Sequence, residues 1–225
     1  MKKNTLLLIH GFLCDKSVWA AQIKGLQNRV NLLMPNFSGA DNLEGMLKLI
    51  LNDAPEKFLL AGHSMGGWLA LEIIKRHPER VSKLCILASK ATLDDATKLA
   101  RRQALLEAYQ QEKYESIAEN LAQSFTYQQQ FKSTVKTLFL KNIHDLPKQH
   151  NILVARENCS DILPHIKQQA VLMAGSHDSE YYSETLAMSQ TIPQAQFIEI
   201  KDSGHMLSME QPELVTKHLL QFINK

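Results

Sequence analysis

Six short and almost wholly apolar runs punctuate the chain, at Thr5–Ile9, Val30–Met34, Lys57–Ala61, Lys83–Ala88, Ala170–Ala174 and Gln196–Ile200. Between them, apolar residues recur at every third or fourth position, the spacing of one helix face, over about Ser17–Leu26, Leu43–Leu51, Met65–His77, Ser179–Gln190 and Glu213–Asn224. Pro78 closes one of these helices and Pro212 opens another. The runs do not alternate apolar with polar, so both faces of the sheet they build must be covered. A strand followed by a helix, repeated, is the pattern of βα units on a parallel sheet. The expected architecture is therefore a doubly wound α/β layer.

One stretch breaks the alternation. From Lys90 to Gln169 nothing reads as a strand, and the periodicity is helical throughout. Tyr114, Ile117, Ala118, Leu121, Ala122 and Phe125 fall on one stripe, and Phe131, Val135, Leu138, Phe139 and Ile143 on a second. The expectation is a core of residues 1–89 and 170–225 carrying a helical cap insertion at 90–169. Most of the apolar residues of the insertion are expected to pack on one another and on the sheet. The rest would line a pocket, since open α/β sheets bind ligands at the carboxyl ends of their strands.

Composition narrows the function classes. A chain of 225 residues suits one domain with an insertion, and 44% apolar content gives a core that needs no disulfide or metal staple. The net charge of +2 is too near balance for the electrostatic footprint of a nucleic-acid binder. Cys14, Cys85 and Cys159 form no CxxC pair, and Cys14 is expected to be a packed thiol. Leu6–Ile9 could begin a signal peptide, but His10 and Gly11 stop the run short, and no stretch is long enough to span a membrane. A cytoplasmic protein acting without membrane or nucleic acid is the expectation; oligomeric state is left open.

The chemistry gathers in three loops. Gly62-His63-Ser64-Met65-Gly66 matches G-x-S-x-G, directly after an apolar run and at the start of a helix. Glycines two residues either side of Ser64 allow the tight turn that lifts its hydroxyl out of the backbone, towards a helix N-terminus that favours developing negative charge. Serine is a poor nucleophile unless a base is within reach. Of nine histidines, His205 is best placed, in Ser203-Gly204-His205 after the last apolar run. The orienting acid should lie between serine and histidine in the chain. Asp178 follows the run ending at Gly175 by three residues, although an aspartate there can equally cap the next helix; Glu180, Asp94 and Asp95 are the alternatives, and Asp202 is too near the histidine. The oxyanion of an acyl-transfer intermediate needs two donors. The amide of Met65 is one, and that of Phe12, beside Gly11 after the first run, is the other. Side chains of Phe12, Trp68 and Met206 are expected to border the acyl pocket. Neither HExxH nor a glycine-rich phosphate loop occurs, so no metal or organic cofactor is expected.

These segments resemble the α/β-hydrolase superfamily over nearly the whole chain. The residues that carry the resemblance are Leu8-Ile9-His10-Gly11-Phe12, Ala61 to Gly67, Gly175-Ser176-His177-Asp178, and Ser203-Gly204-His205 followed by Glu210-Gln211-Pro212-Glu213. The resemblance implies a Ser64, Asp178, His205 triad, an oxyanion hole of the Phe12 and Met65 amides, and a helical cap. Within the superfamily the chain looks most like small bacterial hydrolases with His-Gly-Phe or His-Gly-Trp loops, typically esterases. It is also somewhat similar to the menaquinone-pathway lyase that shares the His-Gly-Phe start. The first run takes the place of the family's third strand, so a sheet of about six strands is implied. The segment Asn36–Asp41 departs from the family's usual Asp-x-x-Gly-x-Gly loop, and the acid loop lacks the usual following proline. Trp68 stands where the lyase carries arginine, which argues against a polyanionic substrate. The insertion, with 11 basic and 9 acidic residues by count, declares no charged substrate either. The expected function is hydrolysis of a small-molecule carboxylic ester with a small or medium apolar acyl group. The alternatives are a lyase, an acyltransferase or a carbon–carbon bond hydrolase using the same site.

Overall fold

The computed structural model describes residues 3–224. Its strands are β1 (Thr5–Ile9), β2 (Asn31–Leu33), β3 (Phe58–His63), β4 (Val81–Leu87), β5 (Gln169–Gly175) and β6 (Ala195–Ile200). They form one six-stranded sheet in the order β2-β1-β3-β4-β5-β6, parallel at every pairing. The chain starts at β1, adds β2 on one side and then crosses to β3 on the other. Strand order therefore reverses between β1 and β3, and a crevice opens at their carboxyl ends.

The helices are α1 (Ala20–Leu26), α2 (Leu43–Leu51), α3 (Met65–Arg76), α4 (Ala96–Gln110), α5 (Tyr114–Phe125), α6 (Lys132–Lys141), α7 (Leu146–Val154), α8 (Tyr182–Thr191), α9 (Leu207–Glu210) and α10 (Pro212–Asn224). Successive strand residues point to opposite faces, and β1 shows the result. Leu7 and Ile9 join a core with Met46, Ile50, Leu69, Ile73 and Met188 of α2, α3 and α8. Leu6 and Leu8 join a second core with Leu26, Val215 and Leu219 of α1 and α10. This accounts for strands without alternation: each face of the sheet is buried under helices.

The apolar runs locate the strands within one to two residues. β3 extends through Gly62 and His63, less apolar than the run before them, because those residues continue the pairing with Ile86 and Leu87 of β4. The first helical segment opens as a 3-10 turn, Lys16–Trp19, whose Ser17 N–H is capped by Asp15. α8 begins at Tyr182, three residues later than the spacing predicts, because the Asp178 carboxylate holds the N–H groups of Glu180 and Tyr181 in a separate turn. Residues 88–168 contain no strand, and Gln169 itself opens β5. The first stripe lies on α5, where Ile117, Ala118 and Ala122 are buried; the second lies on α6, where Val135, Leu138 and Phe139 are. No helix among the described residues is long and apolar enough to cross a membrane.

The turn from β3 to α3 is the tightest packing in this arrangement. A Cβ on Gly62 would run into the carbonyl of Gly66, and one on Gly66 into the carbonyls of Ile9 and His10. Backbone cannot retreat as a flexible side chain can. Gly62→Ala is therefore expected to cost about 3 kcal/mol or more, a fall in Tm of about 6–12 °C for a domain of this size. A calorimetric Tm within about 2 °C of the parent protein would contradict this packing.

Candidate active site

Ser64 sits on the β3–α3 turn with φ 56° and ψ −118°, a left-handed backbone conformation unusual for a side-chain-bearing residue. Leu13, Ala88 and Asp202, in the loops after β1, β4 and β6, also have positive φ, so strain concentrates at the carboxyl edge of the sheet. The Ser64 turn is anchored from both sides: its N–H donates to the Leu87 carbonyl at 2.8 Å, and its carbonyl accepts from Ser89 Oγ at 2.7 Å. A serine at a helix N-cap ordinarily accepts from the first-turn amides. Ser64 makes no such bond, and its hydroxyl is turned to His205 instead.

Ser64 Oγ lies 2.8 Å from His205 Nε2, and His205 Nδ1 lies 2.8 Å from Asp178 Oδ2. The donor sense follows from the acid. Burial alone would raise the Asp178 carboxyl, but the charge and hydrogen bond of His205, with the Tyr181 and Glu180 amides, hold it below the ordinary value. An ionised carboxylate only accepts. His205 Nδ1–H therefore donates to Asp178, and in the neutral imidazole Nε2 accepts from the Ser64 hydroxyl. Asp178 does not cap α8 itself but the turn before it, and each oxygen has its own partners: Oδ1 accepts from Glu180 N–H and Tyr181 N–H at 3.3 and 3.1 Å, and Oδ2 faces the imidazole. The alternative carboxylates are engaged elsewhere. Glu180 pairs with Lys98, Asp95 caps α4 at Lys98 N–H, and Asp94 is buried among Lys90, Arg102 and Arg156.

His205 is packed as well as hydrogen-bonded. The rings of Tyr181, Phe125 and His63 lie 4.5, 4.6 and 5.0 Å from it, centroid to centroid. Its carbonyl is held by His63 Nε2 at 2.8 Å. Burial, then the nearby charge of His205, pushes the His63 imidazole down to about 3, so this ring stays neutral and donates. Glu210 fixes the same loop from below, with Oε1 accepting from Gly204 N–H at 3.0 Å and Oε2 from Gln128 N–H at 2.7 Å.

The loop after β1 closes on the serine: a Cβ on Gly11 would stand 3.1 Å from Ser64 Cβ. Phe12 and Met65 thus flank Ser64, and all three border one cavity. Neither the Phe12 nor the Met65 amide has a backbone or side-chain acceptor among the described residues. The next amide, Leu13 N–H, donates to Gln149 Oε1 at 2.9 Å. Gln149 is a buried polar residue on α7, so a helix between β4 and β5 holds the loop in place. Sequence reasoning missed His63, Glu210 and Gln149. Gln149 had a signal, a lone amide between Leu146 and the Ile152–Leu153 pair on an apolar helix face. His63 and Glu210 had none beyond proximity to the motifs.

The cavity beside Ser64 measures about 40 Å³ and takes Trp68 into its wall. Met206 borders a second space of about 10 Å³ that also touches Ser64, His63 and His205. A wider groove of about 390 Å³ shares Phe12, Arg102, Phe125 and Tyr181 with the cavity.

A profile of the alpha/beta hydrolase family matches residues 6–217. A pimeloyl-[acyl-carrier protein] methyl ester esterase of Vibrio campbellii is 38% identical over 92 residues, 37% of this chain and 36% of that protein. The chain thus spans about a third of the length of the curated relatives it matches. Among solved structures, a thermophilic esterase from Thermogutta terrifontis with malate bound superposes with a TM-score of 0.90 at 25% identity, over 99% of this chain and 90% of that one. An enol-lactonase from Burkholderia xenovorans superposes at 0.87 over 100% of this chain and 93% of that one; at 17% identity the likeness is one of fold. With the profile covering nearly all of the chain and the sheet order and turn geometry agreeing with it, the protein is a member of the α/β-hydrolase family.

Proposed function

We propose that the protein hydrolyses small-molecule carboxylic esters through an acyl-enzyme formed on Ser64. The observation that carries this reading is the unbroken run of two 2.8 Å hydrogen bonds from Ser64 Oγ through His205 to Asp178. As Ser64 Oγ attacks the ester carbonyl, its proton passes to His205 Nε2, and Asp178 stabilises the imidazolium. The Phe12 and Met65 amides meet the oxyanion, each lowering the barrier by roughly 3–4 kcal/mol, reinforced by the N-terminus of α3. Collapse returns the proton to the departing alkoxide and leaves Ser64 acylated. Water, deprotonated by His205, then releases the acid and restores the serine.

Residues 90–169 act in this reading as a cap over a core of 1–89 and 170–225, with Gln149 reaching from the cap to the oxyanion loop. Phe12, Trp68 and Met206 border the acyl group. A space of about 40 Å³ suits a short acyl chain. The esterase names of the relatives from Vibrio campbellii and Thermogutta terrifontis support ester hydrolysis over a lyase or carbon–carbon bond hydrolase.

With 4-nitrophenyl butyrate, a burst of nitrophenol followed by steady turnover is expected, and Ser64→Ala abolishes both. Full activity in Ser64→Ala would remove it as nucleophile, and transfer to an added alcohol faster than to water would make the enzyme an acyltransferase. Asp178→Asn is expected to lower kcat about ten-thousandfold, since the imidazole loses its tautomer, whereas Glu180→Gln changes it little. The reverse order would reassign the acid.

Gln149→Leu strands the Leu13 amide and loosens the oxyanion loop. The expected result is a fall of about tenfold in kcat with KM changed less than about twofold, the signature of a contact felt in the transition state. A change confined to KM would contradict the positioning role.

A further inference from the structure

Lys90, Arg102 and Arg156 converge on one carboxylate, Asp94, at 2.7, 2.5 and 2.9 Å. All three cations line the cavity that holds Ser64, and no carboxylate does. Their side chains are 2%, 18% and 5% exposed, and that of Asp94 is 2% exposed. Burying three positive charges against a single negative one leaves an excess of two in a confined space, which is costly unless an anion or ordered water completes the set. Asp94 is saturated. Burial would raise its carboxyl, but the hydrogen bonds and charges of Lys90, Arg102 and Arg156 hold it at about 2.

Donors remain. Arg102 spends only Nε, on Asp94, and both its Nη groups lack an acceptor among the described residues. Arg156 uses only Nη2, on Asp94 and the Thr92 carbonyl. The two arginines come from different elements, Arg102 from α4 and Arg156 from just after α7, and they meet beside the serine. A cavity of about 40 Å³ has room for about three water-sized groups, which fits a carboxylate better than a long alkyl tail. Phe12, Trp68 and Leu153 in the same wall give apolar surface for the one or two methylenes between that carboxylate and the ester carbonyl. Arg102 also borders the wider groove, whose lining is mixed: Lys98 and Arg101 stand there with Asp178 and Glu180, and Glu180 pairs with Lys98.

We infer that this cavity is an anion subsite, and that the substrates are short esters whose acyl chain ends in a carboxylate, half-esters of small dicarboxylic acids. The inference rests on the esterase reading above and deepens it. Asp94 then serves as a positioning residue that aligns the three cations, and Lys90, Arg102 and Arg156 bind the substrate's charge.

The test compares monomethyl succinate with methyl 4-methylpentanoate, in which an isopropyl group replaces the carboxylate with the same number of non-hydrogen atoms and no charge. Methanol release gives kcat/KM for each. The expected result is at least a tenfold preference for the anionic ester, falling below about threefold in Arg102→Gln. A purely structural ion cluster would lower both substrates together and leave their ratio unchanged. Equal rates, or preference for the neutral ester, would overturn the subsite while leaving the esterase standing. Should neither methyl ester react, calorimetric titration of Ser64→Ala with succinate decides. Binding that is lost in Ser64→Ala/Arg102→Gln supports the subsite, and absence of binding up to about 10 mM overturns it. Failure of 4-nitrophenyl butyrate as well would instead count against the esterase reading.

Discussion

The left-handed backbone of Ser64 is the constraint on which the rest of the structure depends. A non-glycine residue in this region costs about 1–3 kcal/mol and persists only where its surroundings over-determine it. Here the surroundings are backbone and one hydroxyl: β4 accepts the Ser64 N–H, the Ser64 carbonyl accepts from Ser89 Oγ, and the carbonyls of Ile9 and His10 press against Gly66. Three adjacent strands thus fix one hydroxyl. In return the serine gives up its ordinary helix cap, worth about 1 kcal/mol, and directs Oγ to the imidazole.

The second half of the site is held by groups that reach the histidine loop from several elements. His63 stays uncharged and grips the His205 carbonyl. Glu210 takes amides from the histidine loop and from the segment after α5, and the rings of Tyr181 and Phe125 pack against the imidazole. Asp178 divides its two oxygens between a turn and the histidine. In the proposed reaction, an imidazole held on four sides would reach the transition state already oriented, which is where preorganisation contributes most.

Much of this was legible in the sequence because it is local. Unbroken apolar runs such as Leu6–Ile9 mark strands buried on both faces, and glycines at 62 and 66 mark a turn that no side chain could enter. The start of α8 was not legible, since Asp178 competes with the helix for the same amides. The charge distribution was not legible either. Counting 11 basic against 9 acidic residues over positions 90–169 suggests a neutral insertion, yet folding brings Lys90, Arg102 and Arg156 to one cavity and sends several of the acids, Glu115 and Glu157 among them, to exposed pairs with lysines. Composition averages over positions that the fold separates.

The central claim is that Ser64 is made nucleophilic by its neighbour from the far end of the chain. The most direct measurement is covalent: treat the protein with a fluorophosphonate, digest it, and locate the adduct by mass spectrometry. The account predicts a single adduct on the peptide carrying Ser64, and none in His205→Ala under the same conditions. An adduct on another residue, or an unmodified Ser64 in protein that still hydrolyses esters, would contradict it.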